Sequence, residues 1–219
     1  GHCMVMGSAS TMAVCAETMG IMLPGGSSIP ATLNERLTHS VESGKAIVEL
    51  VKNRVTFSDI VKEGSLKNAL TALLAIGGST NAIIHLIALS RRLGVNISLE
   101  DFDKQSEITP LIANVRPTGK YQMEDFHKAG GVPVLLAELK ELLYLDELTV
   151  SGESIGDIVN RTKRIPVYSD IIRKKEEALS QSGGLSILYG SLAPRGAIIK
   201  HSAASLNEHK GKALVFQNV

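Results

Sequence analysis

The strongest periodic signal runs over residues 33–53, where Leu33, Leu37, Val41, Ile47, Val48, Leu50 and Val51 recur at helical spacing. Glu35, Arg36, Glu42, Lys45 and Glu49 fall between them and read as the solvated face of an amphipathic helix, with an irregularity at Gly44. A second helical pattern opens at Ser65, continues through Leu66, Ala69, Leu70, Leu73 and Leu74, and stops at Gly77-Gly78. A third, over residues 82–93, carries Ile83, Ile84, Leu86, Ile87 and Leu89. Ser98 with Asp101 three residues on has the form of a capping box, starting a short helix to about Ser106. Residues 111–115 are short and apolar and end before Arg116-Pro117, the pattern of a buried strand of a parallel sheet. Gly130-Gly131 then introduces a helix over residues 132–143, with Pro133 tolerated in its first turn.

The pattern turns polar over residues 146–181, which read as a linker region. After Gly184 it changes again, to short strands at 185–189, 197–200 and 212–216. A strand alternating with helices on either side indicates α/β layering. The expected fold is a helix-rich layered α/β domain around a mainly parallel sheet, followed by the start of a β-rich domain. The expected divisions are 1–165, a linker at 166–184, and 185–219.

Composition narrows the class. The chain has 219 residues, 44% hydrophobic and 21% charged, ordinary for a globular protein with a substantial core. Its formal net charge is +1, with acidic and basic residues interleaved, so no basic stripe points to nucleic acid or a membrane surface. No apolar run approaches the roughly 20 residues that span a bilayer. No secretory signal is seen, and a cytoplasmic location is expected. The two cysteines, Cys3 and Cys15, form neither a Cys-x-x-Cys pair nor a disulfide framework, and two thiols cannot fill a four-cysteine site. Cys15 reads as core packing.

The chemistry concentrates at the start: Gly1-His2-Cys3-Met4-Val5-Met6-Gly7-Ser8-Ala9-Ser10-Thr11-Met12. Cys3 sits in a glycine-flanked turn ahead of a helix-compatible run over residues 11–19 that closes at Gly20. Ser8 or Ser10 is suited to cap that helix. A thiol just before a helix N-terminus meets partial positive charge that favours the thiolate, the form that ligates metals. A lone cysteine there is more often just a small buried residue.

Three further stretches carry candidate chemistry. The loop Leu23-Pro24-Gly25-Gly26-Ser27-Ser28 offers backbone N–H groups for an anion-binding nest, or serves as a tight connector. Gly77-Gly78-Ser79-Thr80-Asn81 lies between two helices. Ser79, Thr80 or Asn81 could cap the second helix and leave donors for a carboxylate or phosphate, or simply close a corner. His85, on the apolar helix that follows, reads as a core histidine. In Met123-Glu124-Asp125-Phe126-His127, the neighbouring carboxylates point about 100° apart on a helix and make a poor chelating pair; acidic residues in a first helical turn are the plainer reading.

Gly-His-Cys-x-x-Met-Gly-Ser-Ala-Ser-Thr-Met with Leu23-Pro24-Gly25 and Ile29-Pro30-Ala31 resembles the dihydroxy-acid and sugar-acid dehydratase family, most closely its aldonate (arabinonate and xylonate) branch. That branch usually has Asn-Thr where Met4-Val5 stand. The Gly-Gly-Ser-Thr-Asn corner, the Met-Glu-Asp-x-His-x-Ala-Gly-Gly stretch and the entry Gly190-Ser191-Leu192-Ala193-Pro194 match as well, with Ser191 replacing an asparagine.

The resemblance implies that Cys3 is one of three cysteines holding an iron–sulfur cluster, of the 2Fe-2S rather than the 4Fe-4S type. It also implies Mg2+, with ligands mostly outside this chain, and a base serine downstream of it. It places Ser79, Thr80 and Asn81 near the substrate cleft. The implied reaction removes water from a 2,3-dihydroxy acid, a sugar acid, to give a 2-keto-3-deoxy acid, with iron acting as Lewis acid on the leaving 3-hydroxyl. On this reading the chain is the middle of a longer homo-oligomeric enzyme and is inactive alone. A branched dihydroxy acid or a phosphogluconate is the alternative substrate within the class. A non-catalytic anion-binding or assembly module is the alternative outside it.

Overall fold

The computed structural model describes residues 3–204, 210–212 and 214–216. Helices dominate: α1 (Ser8–Thr18), α2 (Glu35–Lys52), α3 (Phe57–Ile60), α4 (Glu63–Ala75), α5 (Asn81–Arg92), α6 (Leu99–Ile108), α7 (Met123–Lys128), α8 (Gly131–Glu138) and α9 (Ile155–Arg161). A two-stranded antiparallel sheet follows, β1 (Ser186–Gly190) and β2 (Ala193–Ile199), pairing Ile187 with Ile198 and Leu188 with Ala197.

Two adjoining hydrophobic cores share α1 and α4 as a common wall. Neighbouring residues on a helix point about 100° apart, so one helix can feed both sides. Val14 enters the core built around Ile112, Phe126 and Leu135, while Cys15 enters the one around Leu73, Ile83 and Phe102. On α4, Ala72 and Ala75 serve the first core and Leu66, Leu70 and Leu73 the second. This is why α4 is almost wholly buried.

The expected helices appear, although α1 starts three residues earlier than read and α8 stops at Glu138, with only a 3₁₀ turn over Lys140–Leu142 beyond it, and the helix-rich α/β class holds. Ser98 caps α6 as read: its hydroxyl accepts the Asp101 N–H at 3.3 Å, and Asp101 in turn accepts the Ser98 N–H at 2.8 Å. The sheet differs from the mainly parallel one expected. Residues 111–115 are buried and extended, but they make only isolated bridges: Leu111 with Ser180, Ala113 with Ile172, and Val115 in parallel with Tyr121. Their N–H groups are satisfied by carbonyls already at hand, Ile112 by Ala75 at 3.0 Å and Asn114 by Ile171 at 2.8 Å. A strand neighbour is not needed to pair them.

The stretch read as a linker, 166–184, is woven into the body. Ile171 and Ile172 are buried in the first core, and Gly183 donates to the Ser106 carbonyl at 2.8 Å. The β1–β2 hairpin docks on α6, where Ser106 donates to the Leu185 carbonyl at 2.6 Å and Asp103 accepts the Ile187 N–H at 3.1 Å. The strand expected at 212–216 does not form among residues 212 and 214–216, and Ala213 lies outside the described residues.

The amphipathic helix α2 departs most from expectation. It has no buried residue, and Leu37, Val41, Ile47, Val48 and Val51 are all exposed. Most of its apolar stripe faces away from both cores, while Leu50 packs against the second. No helix among the described residues is long and apolar enough to cross a membrane.

Candidate functional site

Cys3 is exposed and lies in irregular chain ahead of Gly7, which caps α1. Two backbone bonds hold its segment in place: Met123 N–H donates to the Met4 carbonyl at 3.0 Å, and Met6 N–H donates to the Arg116 carbonyl at 2.8 Å. The start of α7 is thereby drawn against the segment that carries the thiol. Ser8 and Ser10 do not cap α1. Ser8 is its first helical residue, and its hydroxyl meets Ser79 and Asn81 instead.

Cys3 opens onto a small cleft of about 210 Å³. One side is α1, through Ala9, Ser10 and Ala13. The opposite side is the Gly-Ser loop, through residues 27–31, with Arg36, Met123 and Glu124 at the margins. A larger groove of about 610 Å³ runs along α2 past the Glu153–Arg161 ion pair, but Cys3 does not line it.

The Gly-Ser loop turns at Gly25 (φ +82°), a conformation only glycine adopts without cost, and enters a single 3₁₀ turn over Gly26–Ser28. Three of its N–H groups are already occupied. Gly25 and Ser27 donate to the two oxygens of Glu17, at 2.6 and 2.9 Å, and Gly26 donates to the Leu23 carbonyl at 3.1 Å. The sequence-read nest is filled by the protein's own Glu17 carboxyl group. Burial pushes that group above the usual carboxylate range, against the opposing pull of the bonds from Ser27 and Gly25.

The Met-Glu-Asp-x-His stretch meets the loop from the other side. His127 Nδ1 lies 3.4 Å from the Ser28 hydroxyl, and Nε2 lies 3.1 Å from the Glu35 carboxylate. Gly131 (φ +59°) passes so close that a Cβ there would stand 2.5 Å from Ser28 Oγ. Asp125 accepts the Gln122 N–H at 2.9 Å and so closes the first turn of α7, while Glu124 pairs with Lys128 at 2.9 Å. The two carboxylates serve separate purposes, as their angular spacing requires.

The paired-glycine corner packs on the N-terminal end of α1. Ser79 N–H donates to Thr11 Oγ1 at 3.0 Å, and the Asn81 amide donates to Ser8 Oγ at 2.7 Å. Ser79, Thr80 and Asn81 therefore stand beside the helix that walls the cleft, without lining it themselves. His85 is exposed on α5, not in the core, because α5 buries its Ala82, Ile83 and Leu86 side instead. Cys15 is fully buried, and burial pushes its thiol up to about 12. It is an inert core residue, as read.

Glu17 is the site residue that the sequence reading passed over. Its signal was present: it is the one charged residue of α1. Among the described residues no group of three or more His, Cys, Asp or Glu side chains converges as a metal site. Of the residues lining the cleft, Cys3 and Glu124 carry ligand-type atoms, and Glu124 is already paired with Lys128.

Residues 1–158 match the family model described as dihydroxy-acid/6-phosphogluconate dehydratase N-terminal, and residues 170–219 match its C-terminal counterpart. An L-arabinonate dehydratase of Rhizobium leguminosarum bv. trifolii is 45% identical over 208 residues, covering 93% of this chain and 36% of the relative. A dihydroxy-acid dehydratase of Pyrobaculum calidifontis is 44% identical over 219 residues, 99% of this chain and 39% of the relative. That of Sulfurisphaera tokodaii is 40% identical, covering 100% of this chain and 40% of the relative. The chain thus spans about two-fifths or less of the length of the curated relatives it matches. With both family models matched in chain order, the protein belongs to the dihydroxy-acid/6-phosphogluconate dehydratase family.

Proposed function

We propose that this chain is the central part of a hydro-lyase that removes water from a sugar acid, a 2,3-dihydroxy acid, to give a 2-keto-3-deoxy acid. The observation that carries this is the exposed thiol of Cys3 on a cleft walled by α1 and the Gly-Ser loop. A reactive or metal-binding thiol has to be reachable, and this one is.

Cys3 fits one ligand position of an iron–sulfur cluster, of the 2Fe-2S type on our reading. The described residues supply no complete ligand set, so the remaining ligands, those of Mg2+ and the base serine belong to other parts of the enzyme. Bound there, iron supplies Lewis acidity toward the leaving 3-hydroxyl. This chain contributes the Cys3 sulfur and the shape of the cleft. Ser79 and Asn81 act through α1, bonding to Ser8 and Thr11 at the helix end that follows Cys3, and Thr80 stands between them.

The two dihydroxy-acid dehydratases among the relatives support a second reading of the substrate, a branched dihydroxy acid. An anion-binding module gains no support, because the loop N–H groups that would bind the anion are taken by Glu17. The enzyme is further proposed to be a cytoplasmic homo-oligomer acting on a small molecule, without nucleic acid or membrane partners.

The test is iron and sulfide analysis of the longer protein purified without oxygen, with turnover measured on aldonates and on dihydroxyisovalerate. Cys3→Ser should lose the cluster and the activity together. Dehydratase turnover by the 219-residue chain alone, or a Cys3→Ser enzyme that keeps its iron, would refute the assignment.

A further inference from the structure

Ser10, Ala13 and Glu17 occupy successive turns on one side of α1. Ser10 and Ala13 line the cleft, and Glu17 lies one turn further along, only 5% exposed. Its carboxyl group receives the Gly25 N–H at 2.6 Å, the Ser27 N–H at 2.9 Å and the Ser27 hydroxyl at 2.5 Å. From the other side Arg36 donates to the Gly26 carbonyl at 2.9 Å and to the Ile29 carbonyl. One acidic and one basic side chain, on different helices, thus take the alternating N–H and C=O groups of a single loop.

We propose that Glu17 is a positioning residue whose buried carboxyl group fixes residues 25–28, and through them the cleft wall that faces Cys3. Ser27 shows the consequence most directly. Both its N–H and its hydroxyl bond to Glu17, and Ser27 itself lines the cleft beside Ser28, Ile29 and Pro30. Without the two oxygens, three donors lose their partners in a closed space, and the loop must rearrange to find water. The role of this hold in turnover rests on the dehydratase reading; the hold itself does not.

Two measurements test it. Hydrogen exchange on the full chain compares the parent with Glu17→Met, which keeps the volume and removes both acceptors. The Gly25 and Ser27 amides should exchange at least about tenfold faster, with the amides of α4 unchanged. If Glu17→Met does not fold, Ser27→Ala removes the 2.5 Å bond alone and should speed exchange at Ser27. In the longer enzyme, Glu17→Met should lower kcat/KM on the dihydroxy acid by about tenfold or more. Glu17→Gln, which keeps the reach and one acceptor, should recover part of that loss.

Unchanged exchange at Gly25 and Ser27 in the folded variant overturns the clamp. Faster exchange with unchanged kcat/KM overturns the positioning role. A parent enzyme inactive on every dihydroxy acid sinks the dehydratase reading by itself, and the exchange experiment still decides the clamp.

Discussion

Nε2 of His127 lies 3.1 Å from the Glu35 carboxylate and ties α7 to the first turn of α2. The other ring nitrogen reaches Ser28, so one imidazole joins two helices and a loop. The partners differ in exposure: the Glu35 side chain is 54% exposed and that of His127 is 18% exposed. Removing the ring takes one of two partners from the buried Ser28 hydroxyl, which keeps only the Gly25 carbonyl at 3.4 Å, whereas removing the exposed charge costs little. His127→Ala should lower unfolding stability by about 1–2 kcal/mol, and Glu35→Gln by less than about 0.5 kcal/mol. Urea denaturation of the two variants checks the order; equal losses would contradict it.

Burial raises the Glu17 carboxyl group above its unfolded value near 4.5. A group raised in this way adds stability that is complete below the unfolded value and disappears as pH climbs through the folded one. Glu17→Gln cannot ionise and escapes that loss. The urea midpoint of Glu17→Gln relative to the parent should therefore move in the variant's favour between about pH 5 and pH 8. A difference that stays flat across that range would show that the carboxyl group does not titrate as its burial requires.

The two thiols should behave as opposites. Cys3 is exposed, while Cys15 is sealed in the core with its ionisation pushed up to about 12. Ellman titration should find one reactive thiol in the native chain and two in denaturant, and Cys3→Ser should abolish the native signal. A fast native reaction in Cys3→Ser would place Cys15 within reach of solvent, contrary to its packing beside Ala69.

Gly20 and Gly25 share nearly the same backbone angle, φ +84° and +82°, but differ in surroundings. A Cβ on Gly25 meets open space, while one on Gly20 would stand 2.7 Å from the Leu148 carbonyl oxygen. Gly25→Ala should cost only the left-handed strain, about 1–2 kcal/mol, and Gly20→Ala about 3 kcal/mol or more. Thermal melts of the pair separate strain from collision.

The helices were legible because the apolar spacing of residues such as Leu66, Leu70 and Leu73 repeats with the turn of a helix. Two faces were misjudged. The stripe of α2 and the position of His85 depend on which side of a helix the rest of the chain covers, and spacing alone does not say. The extended run 111–115 was recognisable as buried, but its partners at Ile172 and Ser180 are distant in sequence and lie in irregular chain. Cys3 was visible from its flanking glycines and the family-like motif. Glu17 was not singled out, because a hydrogen bond to a loop leaves no periodic trace; its mark is one acidic residue in an otherwise uncharged helix.

The helix α2 draws little support from side-chain burial, so its regularity must come from local sources such as the Glu42–Lys45 and Glu49–Lys52 pairs. On warming it should fray before α4 does, and Arg36, near its first turn, would let go of the Gly26 and Ile29 carbonyls as it frays. A helix with no buried residue thus governs one grip on the wall opposite Cys3, and heat should blur the cleft well before the cores melt.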